Sequence, residues 1–465
     1  MFIFIVISSI TCNSNILILC YNSQNGYTAQ CSVGISTSII SLSVSPTSKT
    51  LNIGETVQLT GTKNPTSASE GTQWTSSNTG VATVSGSGLV TAKAAGTATI
   101  TFKNSSSTKS ASCKITVTTP SGIIITDALE HMTVYNNDGN IRWAKTFTAS
   151  NDRQYIATSK NGSIVRAETP SISTKEKNKF ILQKYNNNGN ILWEKFIDFP
   201  STDGKICDID VGNDNSIVVG ITNYGFLKFD ENGNLKFSCK ANNGVFDPAW
   251  WEWHGFTVEC LAIGNDGTIY IGGTCDSGAW IRGFITAFDS NGKFKWEQSE
   301  PSSSSDFDYI YGIIVSRKND IYVRGNKGWY EKFNSSGKSQ WTSQAWNGSS
   351  WLSGEAEINS LTETFDNCII LGLNNGRIRK VDSNSQQKWE KQINSKISIK
   401  INNFFTSTIV PPISAVTLLS DGNIAIGSIP ISTDDYNYFG KYDINGNQIW
   451  KKKVSHSITN IIGIR

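Results

Sequence analysis

Residues 134–143 read VYNNDGNIRW, and fifty positions later residues 184–193 read KYNNNGNILW. An aromatic residue, an Asx-Gly turn and a tryptophan recur in the same order. The line returns as KFDENGNLKF to Phe237, AFDSNGKFKW to Trp296, KFNSSGKSQW to Trp341, KVDSNSQQKW to Trp389 and KYDINGNQIW to Trp450. That makes seven copies spaced 44 to 61 residues apart, the period of a unit of four short strands with variable loops. The Asn-Gly or Asp-Gly step supplies the positive φ that a hairpin turn requires, and the flanking aromatics can pack between neighbouring units. In the clearest unit the strands are 258–263, 268–272, 284–288 and 294–298. The chain ends IIGIR, while the first repeat opens at IIIT with no strand before it. Residues near Ile461 to Ile464 are therefore expected to supply the innermost strand of the first unit, which would remove open sheet edges.

The composition agrees with an all-β chain: 40 Gly, 14 Trp, 14 Tyr and 21 Phe in 465 residues, with 38% hydrophobic and 17% charged residues. Lys and Arg number 41 against 38 Asp and Glu, interspersed, so the basic footprint of a nucleic-acid binder is missing. The run Lys451 to Lys453 follows Trp450 and reads as a charged edge strand. Nine scattered cysteines without a CxxC indicate neither a zinc site nor a disulfide framework. Residues 1–37, with MFIFIVISSI and ILILCY, read as an export signal whose start lies upstream or as a membrane-proximal segment; the apolar run is short for a bilayer span.

From residue 38 to 119 the pattern is different, with short alternating strands and Gly, Ser and Thr turns. The stretch WTSSNTGVATVSGSGLVTAKAAGTATITF resembles the group 2 bacterial immunoglobulin-like domain through Trp74, Asn78, Val81, Gly88, Val90, Gly96 and Ile100, with Leu51, Gly54, Val57 and Leu59 fitting its opening strands. The resemblance implies a β-sandwich spacer or adhesion module of a bacterial surface or secreted protein, with Trp74 in its core. Residues 120–465 resemble the quinoprotein-type (PQQ-like) β-propeller repeats, in which a tryptophan follows the turn glycine by four residues. Gly139 to Trp143, Gly189 to Trp193, Gly292 to Trp296, Gly337 to Trp341 and Gly446 to Trp450 keep that interval. The sixth copy has Ser385 for the glycine and the third has Phe237 for the tryptophan. The expected fold is thus a small Ig-like sandwich followed by a seven-bladed propeller closed by the C-terminal strand.

In such a blade the first-to-second and third-to-fourth turns lie on one face, and the other connections lie on the opposite face. The former are short and polar. The latter hold the insertions: 245–256 (VFDPAWWEWHGF), 275–283, 345–354, 402–412 and 434–440. Trp250, Trp251, Trp253, His254, Trp280, Trp346, Trp351, Phe404, Phe405, Tyr436 and Tyr438 are therefore expected on one face, offering flat rings to a glycan or a protein. The alternative is that Trp250 and Trp253 fold inward and plug the channel. Three histidines in unrelated repeats make a three-His metal site improbable, and residues 230–234 only resemble a calcium loop. No GxSxG, HExxH or phosphate loop occurs. No cofactor and no metal is expected. The sequence therefore predicts a monomeric, non-catalytic binding or adhesion protein, secreted or on the cell surface, touching a membrane only through its N-terminus. The competing readings are a propeller enzyme, quinoprotein-like or polysaccharide-cleaving, for which Asp247 and Glu252 are the nearest channel carboxylates, and a scaffold subunit of an envelope complex.

Overall fold

The computed structural model describes residues 4–7, 15–21, 28–34, 38–118, 121–126, 131–147, 154–169, 178–202, 204–241, 256–276, 281–299, 309–345, 357–394, 397–400, 406–428, 437–454 and 458–464, with backbone alone for 4–34, 276, 281, 397–400 and 406–409. Two compact units divide at Pro120 and Ser121. In the first, Phe4–Ile7, Asn15–Tyr21 and Thr28–Gly34 pair antiparallel in one small sheet. No helix among the described residues is long and apolar enough to cross a membrane.

The rest of the first unit is built from short strands in three sheets, the largest ordered Ser48–Asn52, Ser110–Thr118, Gly96–Asn104, Thr72–Ser76. Along Gly96–Asn104 burial alternates, so Ala98, Ile100 and Phe102 face inward with Leu59, Val90, Cys113 and Ile115. Trp74 packs on Phe102 with ring centroids 4.6 Å apart and belongs to this core.

In the second unit, the described residues form seven antiparallel four-stranded sheets. Written from innermost to outermost strand, sheet 1 is Asn460–Ile464, Gly122–Thr126, His131–Tyr135, Ile141–Thr146, and sheet 2 is Tyr155–Thr158, Ile164–Glu168, Lys179–Tyr185, Ile191–Asp198. Sheet 3 is Ile206–Val211, Ile217–Ile221, Gly225–Phe229, Leu235–Lys240; sheet 4 is Phe256–Ile263, Ile269–Asp276, Ile281–Phe288, Phe294–Ser299. Sheet 5 is Ile310–Val315, Ile321–Gly325, Trp329–Phe333, Ser339–Gln344. Sheet 6 is Ile358–Glu363, Ile369–Leu373, Arg377–Val381, Gln387–Gln392, and sheet 7 is Ile413–Leu418, Ile424–Ser428, Asn437–Tyr442, Gln448–Val454. Asn460–Ile464 pairs antiparallel with Gly122–Thr126, Ile464 opposite Gly122. Second strands such as IVVGI and IILGL are buried on both sides, which is why they read as unbroken apolar runs.

The repeated turn works through its first residue. In each copy, Asn136, Asn186, Asp230, Asp289, Asn334, Asp382 or Asp443 accepts from the backbone N–H two and four residues on. The fourth residue takes positive φ, from 64° at Ser385 to 81° at Gly189, Gly292 and Gly337, and the register shifts by one as the turn rejoins the strand. Residues 230–234 are accordingly a capped hairpin.

The glycine and the tryptophan of the repeat serve different sheets. Trp143 donates its indole N–H to Asn187 O of the next turn, Trp193 to Glu231 O, Trp296 to Ser335 O, Trp341 to Ser383 O and Trp450 to Asn137 O, at 2.8–3.1 Å. Each indole donor therefore reaches the second residue of the neighbouring turn, and the last reaches back to the first sheet. The ring lies on that turn's glycine where one is present: a Cβ at Gly189 would meet Trp143 at 2.7 Å, and one at Gly337 would meet Trp296 at 2.5 Å. Phe237 covers Gly292 without a donor, and Trp389 covers Gly446 with its N–H unpartnered among the described residues. Third-strand lysines tie the two turns of a sheet together: Lys332 to Asp320 at 2.8 Å, Lys380 to Asp366 at 2.6 Å and Lys441 to Asp421 at 2.5 Å.

Three expectations need correction. Residues 437–440 belong to a third strand and not to a loop, because Tyr438 is held at its backbone by the Ser428 hydroxyl and opposite Lys453 in the ladder. Residues 402–412 are not a plain connection: Ile397–Lys400 and Thr406–Ile409 pair as an extra hairpin. Strand pairing carries sheet 4 out to Asp276 and Ile281, leaving only 277–280 as its second connection.

Candidate functional site

Of the aromatic residues expected to face a ligand, only Tyr438 lies among the described residues; Trp250, Trp251, Trp253, His254, Trp280, Trp346, Trp351, Phe404, Phe405 and Tyr436 fall outside them, as do Asp247 and Glu252. Tyr438 is half-buried, with the Lys451 ammonium 4.7 Å from its ring centroid and that of Lys453 6.0 Å away. Burial pushes the Lys451 ammonium down, as expected for a cation laid along an aromatic face and drawn partly out of water. The ring is thus covered by lysines of the edge strand.

The innermost strands fix which way the sheets point. Asp208 accepts from Leu261 N at 3.0 Å and Asp210 from Ile263 N at 2.8 Å; Ser360 accepts from Val416 N at 2.9 Å and Thr362 from Leu418 N at 3.2 Å. Numbers rise together on both partners, so these adjacent innermost strands run in the same direction. In an antiparallel meander the start of the first strand, the end of the second, the start of the third and the end of the fourth share one rim. The strand ends flanking 242–255, 277–280, 346–356 and 429–436 are of this kind.

That same rim carries a feature missed by sequence reasoning. The innermost strands of sheets 3 to 7 each hold a β-bulge at one place, leaving Cys207, Glu259, Tyr311, Asn359 and Ser414 out of register; those of sheets 1 and 2 pair without a shift. A bulge exposes a carbonyl, and at sheets 6 and 7 a side chain of the preceding sheet satisfies it. Arg324 donates Nη1 to Ile358 O at 3.1 Å and Asn359 donates Nδ2 to Ile413 O at 2.9 Å. Arg324 stands where five of the other second strands have Ala167, Gly220, Gly272, Gly372 and Gly427. Room comes from the first strand instead, where a Cβ at Gly312 would meet Arg324 Nε at 2.7 Å. This exchange of a small residue between paired strands was legible only once the repeats had been aligned by strand register.

The electrostatics follow from crowding. Burial pushes the Asp208 carboxyl up to about 7, and Arg324 opposes the shift only in part. Burial likewise lowers the Arg324 guanidinium and raises the Cys207 and Cys260 thiols well above their usual range, so these cysteines are inert packing groups. Asp208 and Asp210 spend one oxygen on their own strand, at Ile209 N and Val211 N, and the other on the next sheet; they act as clamps. No group of three or more His, Cys, Asp or Glu among the described residues is placed to hold a metal ion.

A pH dependence follows. Between about pH 4 and pH 7 the folded protein holds a proton on Asp208 that the unfolded chain has released, so stability falls as pH rises through that window. The Glu297 carboxyl, pushed up to about 8 by burial, acts in the same direction. The urea midpoint is expected to be higher at pH 4.5 than at pH 7.5, and Asp208→Asn, which keeps an oxygen for Leu261 N, should flatten the difference. An unchanged slope in that variant would remove Asp208 as its source.

Residues 39–115 match the family model of the bacterial Ig-like domain (group 2). No curated protein matches the sequence. Among solved structures, BamB from Moraxella catarrhalis is 15% identical, with 73% of this chain and 87% of that chain covered and a TM-score of 0.41. The Dos1 propeller is 14% identical over 66% and 73% of the two chains, at a TM-score of 0.44. A Bacteroides caccae protein of unknown function is 10% identical over 75% and 100%, at 0.41. The chain thus carries a group 2 bacterial Ig-like domain at residues 39–115, followed by an all-β repeat region whose described residues form seven four-stranded sheets.

Proposed function

We propose that the chain is a secreted or surface-displayed bacterial binding protein, in which the Ig-like domain is a spacer and the seven sheets form a closed seven-bladed propeller of the PQQ-like type that recognises a glycan or a protein without performing chemistry. Closure is supported by the pairing of Asn460–Ile464 with Gly122–Thr126 and by the Trp450 indole reaching Asn137. Group 2 Ig-like domains are typical of bacterial surface proteins, which supports the location. The observation that carries the binding reading is that the segments holding Trp250, Trp251, Trp253, Trp280, Trp346 and Trp351 are all anchored on strand ends of one rim. Connections rich in aromatic residues and rooted on one rim suit recognition by stacking and apolar contact. The clamping role of Asp208 and Asp210 weighs against a channel enzyme, since neither carboxylate has an oxygen free of backbone partners.

The test is binding of the full chain to a glycan array and to bacterial cell walls, with Trp250→Ala/Trp251→Ala/Trp253→Ala as the comparison. Loss of about tenfold or more in affinity, with an unchanged unfolding midpoint, is expected for a stacking surface. Equal binding by both proteins would transfer the tryptophans to a packing role and favour a scaffold subunit.

A further inference from the structure

The bulged arc places on sheets 4 to 6 a group of side chains that includes none of the tryptophans. Tyr309, just before the innermost strand of sheet 5, and Tyr311, its bulged residue, stack with ring centroids 5.6 Å apart and planes 6° from parallel. Tyr311 is 41% exposed, an unusual exposure for an innermost strand. Glu259 is the bulged residue of sheet 4, and Glu357 occupies in sheet 6 the position that Tyr309 holds in sheet 5. Burial and the neighbouring Tyr309 raise the Tyr311 hydroxyl, and the Glu259 and Glu357 carboxylates add to that rise against the opposing pull of Arg324. Burial raises the Glu259 carboxyl, and among the described residues no hydrogen bond or ion pair reaches it. The nearby Arg324 cation is turned to Ile358 O across the sheet interface. The rim therefore carries two stacked rings and two carboxylates, with the Arg324 guanidinium beside them engaged at Ile358 O.

We propose that this arc, formed by Glu259, Tyr309, Tyr311 and Glu357, is a binding site for a lysine side chain presented by a peptide. Each component serves one part of that group. The carboxylates supply the charge the ammonium needs, and a partly buried carboxylate gains most from a cation because the attraction is weakly screened there. The tyrosine faces attract the ammonium through the ring quadrupole and offer apolar surface to the aliphatic stem. A β-bulge is a device for re-aiming one side chain of a strand, and here it acts at the same register on three consecutive sheets. Nothing in this assignment uses the tryptophans, so it stands or falls apart from the glycan reading.

The experiment titrates the full chain with acetyl-Gly-Lys-Gly-amide and with the same peptide acetylated on the lysine Nε, followed by tyrosine fluorescence and calorimetry. Saturable binding of the first peptide is expected, with affinity about tenfold or more weaker for the second. Glu259→Gln, which is isosteric, and Tyr311→Ala, at an exposed position, should each lower affinity by a similar factor without moving the unfolding midpoint. Trp250→Ala/Trp251→Ala/Trp253→Ala should bind the lysine peptide as the unaltered protein does. Absence of saturable binding up to about 10 mM, equal binding of the two peptides, or full affinity in Glu259→Gln would overturn the proposal. A protein that binds the lysine peptide but no glycan would retain this site and lose only the glycan reading.

Discussion

Arg166→Leu should destabilise the repeat region by about 3–5 kcal/mol, read as a fall in the urea midpoint. Arg166 lies on the second strand of sheet 2 and is 1% exposed. It is paired with Glu168, itself 4% exposed, and donates to Gln154 Oε1 at 2.9 Å and Gln183 Oε1 at 2.8 Å. The Phe147 ring stacks on the guanidinium, 3.6 Å from centroid to Cζ, and the Tyr185 hydroxyl donates to Gln183 at 2.6 Å. Burial lowers the guanidinium to about 10, which leaves it charged at neutral pH. Leucine in its place leaves Glu168 buried without its cation, the circumstance in which breaking a buried pair is most damaging. The register-equivalent residues of the other sheets are Ile125, Val219, Ile271, Val323, Leu371 and Ile426. An aliphatic residue therefore suits this place once the glutamate is gone, so Arg166→Leu/Glu168→Leu should recover most of the loss. If the single variant is as stable as the unaltered protein, the pair contributes nothing and the argument from burial fails.

Gly337→Ala is expected to cost about 2–4 kcal/mol, combining the penalty for an L-residue at φ 81° with displacement of the Trp296 indole from the turn and from Ser335 O. The coupling between sheets gives the sharper test. In a Trp296→Ala background the same substitution should cost only about 1–2 kcal/mol, because only the backbone term remains. Sheet 6 shows how far the rule bends: Ser385 adopts φ 64°, yet Trp341 still donates to Ser383 O, and the serine hydroxyl is taken up by Tyr330 OH at 2.7 Å. Equal costs in both backgrounds would mean that the indole and the glycine are independent.

Much of the architecture is legible in the residues. The seven-fold line of aromatic, Asx turn and tryptophan predicted seven hairpins, and the turns sit where it put them because Asx capping and positive φ are local properties of four or five residues. The resemblance to the group 2 Ig-like domain likewise rests on a contiguous stretch whose alternating pattern sets its own core. The sequence went astray at Tyr438 and at residues 406–409, where strand pairing extends through stretches that read as loops.

The site was much less legible. Nothing in the letters of Glu259, Tyr311 or Asn359 marks them as bulged, since a bulge is a relation between two strands and appears only in their register. The exchange of Arg324 for glycine, balanced by Gly312, is visible only when strands from different repeats are superimposed. The Asp208 carboxyl is raised by burial, and two of the groups that oppose the rise, Leu261 N–H of sheet 4 and Arg324 of sheet 5, are distant in the chain. Sequence by itself determined the period, the turns and the two-part organisation, because these depend on short-range chemistry. Tertiary structure alone decided which polar groups meet on the rim and which are starved of water, because both depend on contacts between residues some thirty to fifty positions apart.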